Sequence, residues 1–125
     1  MISVDAATKA TYEKVRSGGG FERLMEKMDY LSKLRREKKV SRVSVIMIVQ
    51  KANYRQIPDF IGWAKDKGFD RVNLSHIRNW GTYGDDYFYK NVSMFDKNGK
   101  MKEDLVAILK NPIYADPIVN ISWQV

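Results

Sequence analysis

The residues from 43 to 49 (VSVIMIV) form a nearly continuous apolar run in which most side chains are β-branched. A strand with such a run has both of its faces covered, which is typical of strands in a parallel sheet. Strand patterns also occur near residues 2–5 and 71–77, and a fourth candidate lies near residues 118–123. The run therefore predicts one central strand of a sheet with three or four members.

Apolar residues at spacings of three and four predict helices between these strands. The expected helices lie near residues 7–16, 21–38, 57–67 and 102–110, and a polar and aromatic loop is expected over residues 78–92. Strands that alternate with helices pair in parallel through right-handed crossovers, so the fold class is α/β. A closed eight-stranded barrel needs about 250 residues. The 125 residues of this chain therefore predict a single domain.

This domain is expected to be a partial (half) β/α barrel, because a strand pattern begins at residue 2 with nothing ahead of it. A buried parallel strand rarely starts a natural domain, since its other edge would be open to pairing. We expect a preceding half-barrel in a larger parent protein. We also expect the exposed sheet edge to produce a homodimer or a larger homo-oligomer.

Composition excludes several kinds of site. The chain has no cysteine and one histidine, so it offers no disulfide framework, no thiolate zinc site and no thiolates for an iron–sulfur cluster. No apolar run is long enough to span a membrane, and the N-terminus lacks the pattern of a signal peptide. The expected location is cytoplasmic, with no metal site and no membrane partner.

The net charge of +7 is concentrated in one segment. Six basic residues lie between Lys33 and Arg42, with Glu37 as the only acid among them. Such a segment favours two interpretations: a solvated helix C-terminus, where cations oppose the helix dipole, or a module that binds RNA or another polyanion. Aromatic residues for base stacking are not interleaved with it. The helix terminus is therefore the favoured interpretation, and a nucleic-acid partner is not expected.

The segment after the first strand carries a longer pattern, S-x-D-A-A-T-x-x-T-Y-E-x-x-R-x-G-G-x-F, between residues 3 and 21. With the segments that follow, up to about residue 92, it resembles the second half of a radical S-adenosylmethionine domain. The similarity is to the peptide-modifying and maturase-like members of that family. It implies a partial (β/α)6 barrel of which this chain supplies the last three strands and their helices.

The resemblance stops at the feature that defines the family. The C-x-x-x-C-x-x-C loop, whose thiolates hold a [4Fe–4S] cluster beside S-adenosylmethionine, has no counterpart here. The resemblance therefore implies a fragment that forms one wall of the cofactor and substrate cavity in its parent. S-adenosylmethionine and the cluster would be cofactors of that parent, and the isolated chain is expected to have no activity and no catalytic residue.

Five residues are candidates for cofactor binding. The resemblance implies that Ser3 contacts the ribose, that Arg16 binds the cofactor carboxylate, and that Ser75, next to His76, lies near the adenine. Gln50 and Asn53 follow the second strand, at the end where parallel α/β folds build their sites. Several of these residues also have an ordinary interpretation: a sheet hydroxyl for Ser3, a surface guanidinium for Arg16, and loop residues for Gln50 and Asn53, with Asn53 making a turn. The neighbouring His76 has the ordinary interpretation of a structural imidazole.

Overall fold

The computed structural model describes residues 2–16 and 20–123 of the chain. Four strands and five helices alternate along them, and two short 3₁₀ turns lie at Tyr54–Gln56 and Pro112–Ala115. In chain order the elements are β1 (Ile2–Ser3), α1 (Lys9–Val15), α2 (Phe21–Arg36), β2 (Ser44–Val49), α3 (Ile57–Asp66), β3 (Arg71–His76), α4 (Asp85–Asn91), α5 (Glu103–Ile108) and β4 (Val119–Ile121). Gly18 and Gly19, which carry part of the family resemblance, lie outside the described residues.

The four strands form one sheet in the order β1-β2-β3-β4, and every neighbouring pair is parallel. The prediction of an α/β fold with three or four parallel strands is confirmed, and the arrangement is consistent with part of a β/α barrel. Each strand lies beside the next one in sequence, so the chain winds in one direction across the sheet. Right-handed crossovers in a single direction place the connecting helices on the same face.

The core lies between that face and the helices. Val45, Met47 and Val49 of β2 are fully buried there against α3. The alternate residues of β2, among them Ile46 and Ile48, point to the other face and are only partly buried. Strand register extends this division, because residues paired across parallel strands share a face. We call the second face the open face; it carries Ser3, Ser44, Ile46, Ile48, Arg71, Asn73, Ser75 and Asn120.

One helix of the structure was not predicted from the sequence. Residues 78–92, expected to be a loop, contain helix α4 at Asp85–Asn91. Phe88 is the only buried residue of this helix. A helix of seven residues with one buried position shows no repeat of apolar spacing, which is why the pattern did not predict it. The connection between β3 and α4 is therefore shorter than the predicted loop, and it spans residues 77–84.

The basic segment between Lys33 and Arg42 lies at the C-terminus of α2 and in the turn that leads to β2, at the amino end of the parallel strands. Arg35 donates two hydrogen bonds, at 2.9 and 2.8 Å, to the carboxylate of Asp70. Asp70 also accepts the backbone N–H of Val43 at 2.8 Å. One guanidinium of the segment thus ties α2 to the starts of β2 and β3.

No helix in residues 2–16 and 20–123 is long and apolar enough to cross a membrane.

Candidate functional site

The carboxyl ends of the strands meet at one edge of the sheet, where loops from separate parts of the chain converge. This is the edge at which parallel α/β folds generally build binding sites. Four of the five sequence-predicted site residues lie at this edge, namely Arg16, Gln50, Asn53 and Ser75. Ser3 lies within β1, in register with Ile46, and its side chain is exposed on the open face.

Asp5 connects the elements at this edge. Its carboxylate accepts the backbone N–H of Ile48 at 2.7 Å and a guanidinium N–H of Arg16 at 3.1 Å. The Asp5 backbone has a φ of 65°, in the left-handed region that aspartate tolerates better than most residues. This turn stops β1 after Ser3, two residues earlier than the sequence pattern predicted, and directs the buried carboxylate towards β2.

Asn53 is buried, and its side-chain amide forms hydrogen bonds with backbone groups of three residues. Its Nδ2 donates to the carbonyl oxygens of Asp5 at 3.0 Å and Ile48 at 2.9 Å, and its Oδ1 accepts the backbone N–H of Gln50 at 2.8 Å. Both amide protons are thereby used inside the fold. Asn53 makes a turn, as the ordinary interpretation of this residue expected, and it fixes the positions of its neighbours.

Arg16 and Gln50 keep accessible side chains beside this network. The Arg16 side chain is 42% exposed although one of its nitrogens is bound to Asp5, so part of the guanidinium faces solvent. Gln50 is partly buried. Nearby, Gln56 accepts the N–H of Ala7 at 2.9 Å and donates to Thr8 at 2.8 Å, which joins the start of α1 to the loop after β2.

A cleft of about 510 Å³ lies next to this network, over the carboxyl end of the open face. We call it the open-face cleft. Ser75 lines it together with Ile48, its partner in strand register. The connection after β3 forms the opposite side, with Trp80 and Tyr83. The remaining lining residues are His76, Ile77, Arg78 and Thr82.

The lining of the open-face cleft combines apolar and aromatic surface with hydroxyl groups and one permanent cation. Arg78 supplies a guanidinium, Ser75 and Thr82 supply hydroxyls, and no carboxylate is among the described residues that line it. This set suits a ligand with a planar ring and a negatively charged group. Sequence reasoning did not single out Arg78, although this residue lies in the polar and aromatic stretch that it marked.

One side chain holds the loop over the cleft. Asn79 accepts the backbone N–H groups of Gly81 and Tyr83 at 3.1 and 3.3 Å, and donates to the Tyr83 carbonyl at 2.8 Å. Gly81 has a φ of 94°, which favours glycine at this turn. Trp80 is 85% exposed as a result. An exposed indole on a hydrogen-bonded turn is available for stacking.

Asp5 is another residue of this site that sequence reasoning missed. The sequence pattern placed it only at the end of the expected strand near residues 2–5, and Thr8 is the residue that caps α1. An acid directly after a strand, at the edge where sites form, was the signal available. No group of three or more potential metal-ligating His, Cys, Asp or Glu side chains occurs in the part of the chain that the structure describes.

The fold and site define an α/β protein whose parallel sheet winds in one direction and has a polar open face with a cleft at its carboxyl end. No protein-family model, no curated protein and no solved structure matches the chain in the comparisons with known proteins.

Proposed function

We propose that the open face forms one wall of a cavity for S-adenosylmethionine and a substrate, within a larger β/α barrel of the radical S-adenosylmethionine type. The single observation that carries the proposal is the open-face cleft, which lies at the carboxyl end of the strands beside the predicted residues. Ser75 lines this cleft, and the network around Asp5 flanks it. The sequence resemblance supplies the identity of the ligand.

Each accessible residue has a defined part in this proposal. Ser3 and Ser75 offer hydroxyl groups on the open face, and Arg16 offers the solvent-facing part of its guanidinium for a carboxylate. Gln50 contributes an amide at the same edge, while Asn53 and Asp5 position the backbone beneath it. Trp80 provides a surface on which a planar base stacks.

The residues present do not fit an iron–sulfur cluster. The sequence contains no cysteine, so thiolate ligands would come from polypeptide other than these 125 residues. We therefore derive no redox step for this chain. Its proposed contribution is to bind and orient the cofactor, and the isolated chain is expected to be inactive.

The proposal is tested by titrating the ¹⁵N-labelled chain with S-adenosylmethionine and following the amide shifts by NMR. With one wall only, we expect saturable binding in the millimolar range, which corresponds to about 4 kcal/mol. The shifted amides should include those of Ser3, Gln50 and Ser75. Absence of saturable shifts, or shifts confined to another part of the molecule, would refute the proposal.

A matched pair of substitutions separates the cleft from the rest of the open face. Ser75→Leu places a large apolar side chain in the cleft, and we expect it to weaken binding roughly tenfold or more. Ser44→Leu makes the same change on the same face at the amino end of β2 and should leave binding unchanged. Equal effects of the two substitutions would contradict the location of the site.

A further inference from the structure

A second cavity lies on the helix side of the sheet, between the carboxyl ends of β3 and β4 and helix α4. Its volume is about 550 Å³, within the range of about 300–1,000 Å³ typical of small-molecule sites. None of the five predicted cofactor-binding residues lines it. His76, Ile77 and Arg78 border both cavities and form the wall between them. We call this space the helix-side cavity.

Aromatic rings form one side of the helix-side cavity. The Phe95 ring lies 4.6 Å from that of His76 and 5.5 Å from that of Trp123, the latter edge-on. Phe88 of α4 adds a further ring, and both Phe88 and Phe95 are buried. A ligand with an aromatic or other large apolar side chain would lose water-exposed surface against these rings, which favours binding.

The charged side chains that line the helix-side cavity are balanced in sign: two are basic and two are acidic, namely Arg78, Lys97, Asp85 and Asp96. A ligand with a net positive charge would face the two basic side chains, and a ligand with a net negative charge would face the two acidic ones. The lining therefore disfavours a net charge of either sign. It matches a ligand that carries one positive and one negative group. A zwitterion is therefore the charge pattern that fits.

Of these four charged groups, Arg78 and Asp85 are the more available to a ligand. Asp96 accepts the backbone N–H groups of Asn98 and Lys100, each at 2.9 Å, and so stabilises its own turn. Lys97 lies 3.5 Å from Asp86. By contrast, Asp85 has one long contact of 3.5 Å from Asn79, and Arg78 has no hydrogen bond or ion pair within residues 2–16 and 20–123.

We propose that the helix-side cavity binds a free α-amino acid with a large apolar side chain. The side chain packs against Phe88 and Phe95, the carboxylate pairs with Arg78, and the ammonium group pairs with Asp85. The planar guanidinium suits a carboxylate because it can donate two parallel hydrogen bonds. This proposal does not depend on the proposed function, which concerns the other face of the sheet.

Calorimetric titration of the whole chain with L-phenylalanine tests the proposal against three simpler compounds. 3-Phenylpropionate lacks the ammonium group, 2-phenylethylamine lacks the carboxylate, and glycine lacks the side chain. The dissociation constant of L-phenylalanine should be lower than that of each comparator by roughly tenfold or more. Equal binding of the four compounds, or no binding of L-phenylalanine up to about 10 mM, would overturn it.

Substitutions then assign the two charges. Asp85→Asn should raise the dissociation constant of L-phenylalanine roughly fivefold or more and leave that of 3-phenylpropionate unchanged. Asp104→Asn is the matched control, since Asp104 also lies in the first turn of a short helix but does not line this cavity. If Asp85→Asn changes both ligands equally, or if the control has the same effect, the proposed orientation is wrong.

A third variant separates this site from the open-face cleft. Ser75→Leu blocks the cleft but does not touch the helix-side cavity, so it should leave L-phenylalanine binding unchanged. Loss of L-phenylalanine binding in Ser75→Leu would overturn the assignment to the helix-side cavity. Failure of S-adenosylmethionine to bind, with L-phenylalanine still bound, would refute the proposed function alone.

Discussion

The ion pair between Arg35 and Asp70 predicts a stability that depends on pH. Arg35 donates two hydrogen bonds to the Asp70 carboxylate, and this guanidinium lowers the pKa of Asp70 from 3.8 to about 2. The carboxylate also accepts the N–H of Val43. Replacement of Asp70 by Asn retains a possible acceptor for Val43 and removes the charge that Arg35 faces.

The magnitude follows from the pKa. At about 1.4 kcal/mol per pKa unit, the ionised carboxylate contributes at most about 2 kcal/mol to the free energy of unfolding at pH 7. The Arg35 and Asp70 side chains are 31% and 23% exposed, so solvent screening reduces the expected value to about 1–2 kcal/mol. Because the folded-state pKa is lower than the unfolded one, this contribution is complete above about pH 5 and is lost as the pH falls towards 2.

Urea denaturation of the chain and of Asp70→Asn at pH 7, 4 and 3 measures this contribution. The difference in unfolding free energy should be about 1–2 kcal/mol at pH 7, and about half of it should remain at pH 3. Asp29→Asn is the control, since the Asp29 side chain is 63% exposed beside Lys67 and should change stability by less than about 0.5 kcal/mol. A difference for Asp70→Asn that is the same at pH 7 and pH 3 would refute the electrostatic reasoning.

Two further predictions concern the site and the sheet edge. Asp5→Ala should lower the free energy of unfolding by about 2–4 kcal/mol, because it leaves the Ile48 N–H without its acceptor and places alanine at a positive φ. Arg16→Gln should cost less than about 1 kcal/mol in the same urea experiment, since this side chain is 42% exposed; equal costs would contradict this ranking. The edge position of β1 predicts self-association, so light scattering should report a dimer or larger assembly, and a monomer at every concentration would contradict it.

The interpretation of the basic segment illustrates what sequence patterns leave open. The cluster of cations was compatible with a helix terminus and with a polyanion-binding surface, because the sequence does not show which groups each charged side chain contacts. The structure gives Arg35 a carboxylate partner 35 residues away and places Lys39 3.3 Å from Glu37. One cation of the segment thus has a carboxylate partner outside it, and the choice between the two interpretations stays a prediction.

The order of the elements was available from the sequence because it depends on local patterns. The apolar run at residues 43–49 predicted β2, and apolar residues at spacings of three and four predicted α3. Gly68 has a φ of 75°, as a glycine that ends a helix commonly does. Helix α4 was not predicted, because its burial depends on a single residue, Phe88, and on the loop that folds against it.

The sequence by itself determined the α/β class, the parallel pairing and the edge of the sheet at which polar residues collect, since each follows from local patterns and from their order along the chain. Only the tertiary structure decided that Asn53 uses its amide inside the fold, that Asp5 joins β1, β2 and Arg16, and that Arg78 stands between two cavities. These roles depend on groups that are tens of residues apart in the chain. Contacts of that kind are set by packing, which local sequence does not encode.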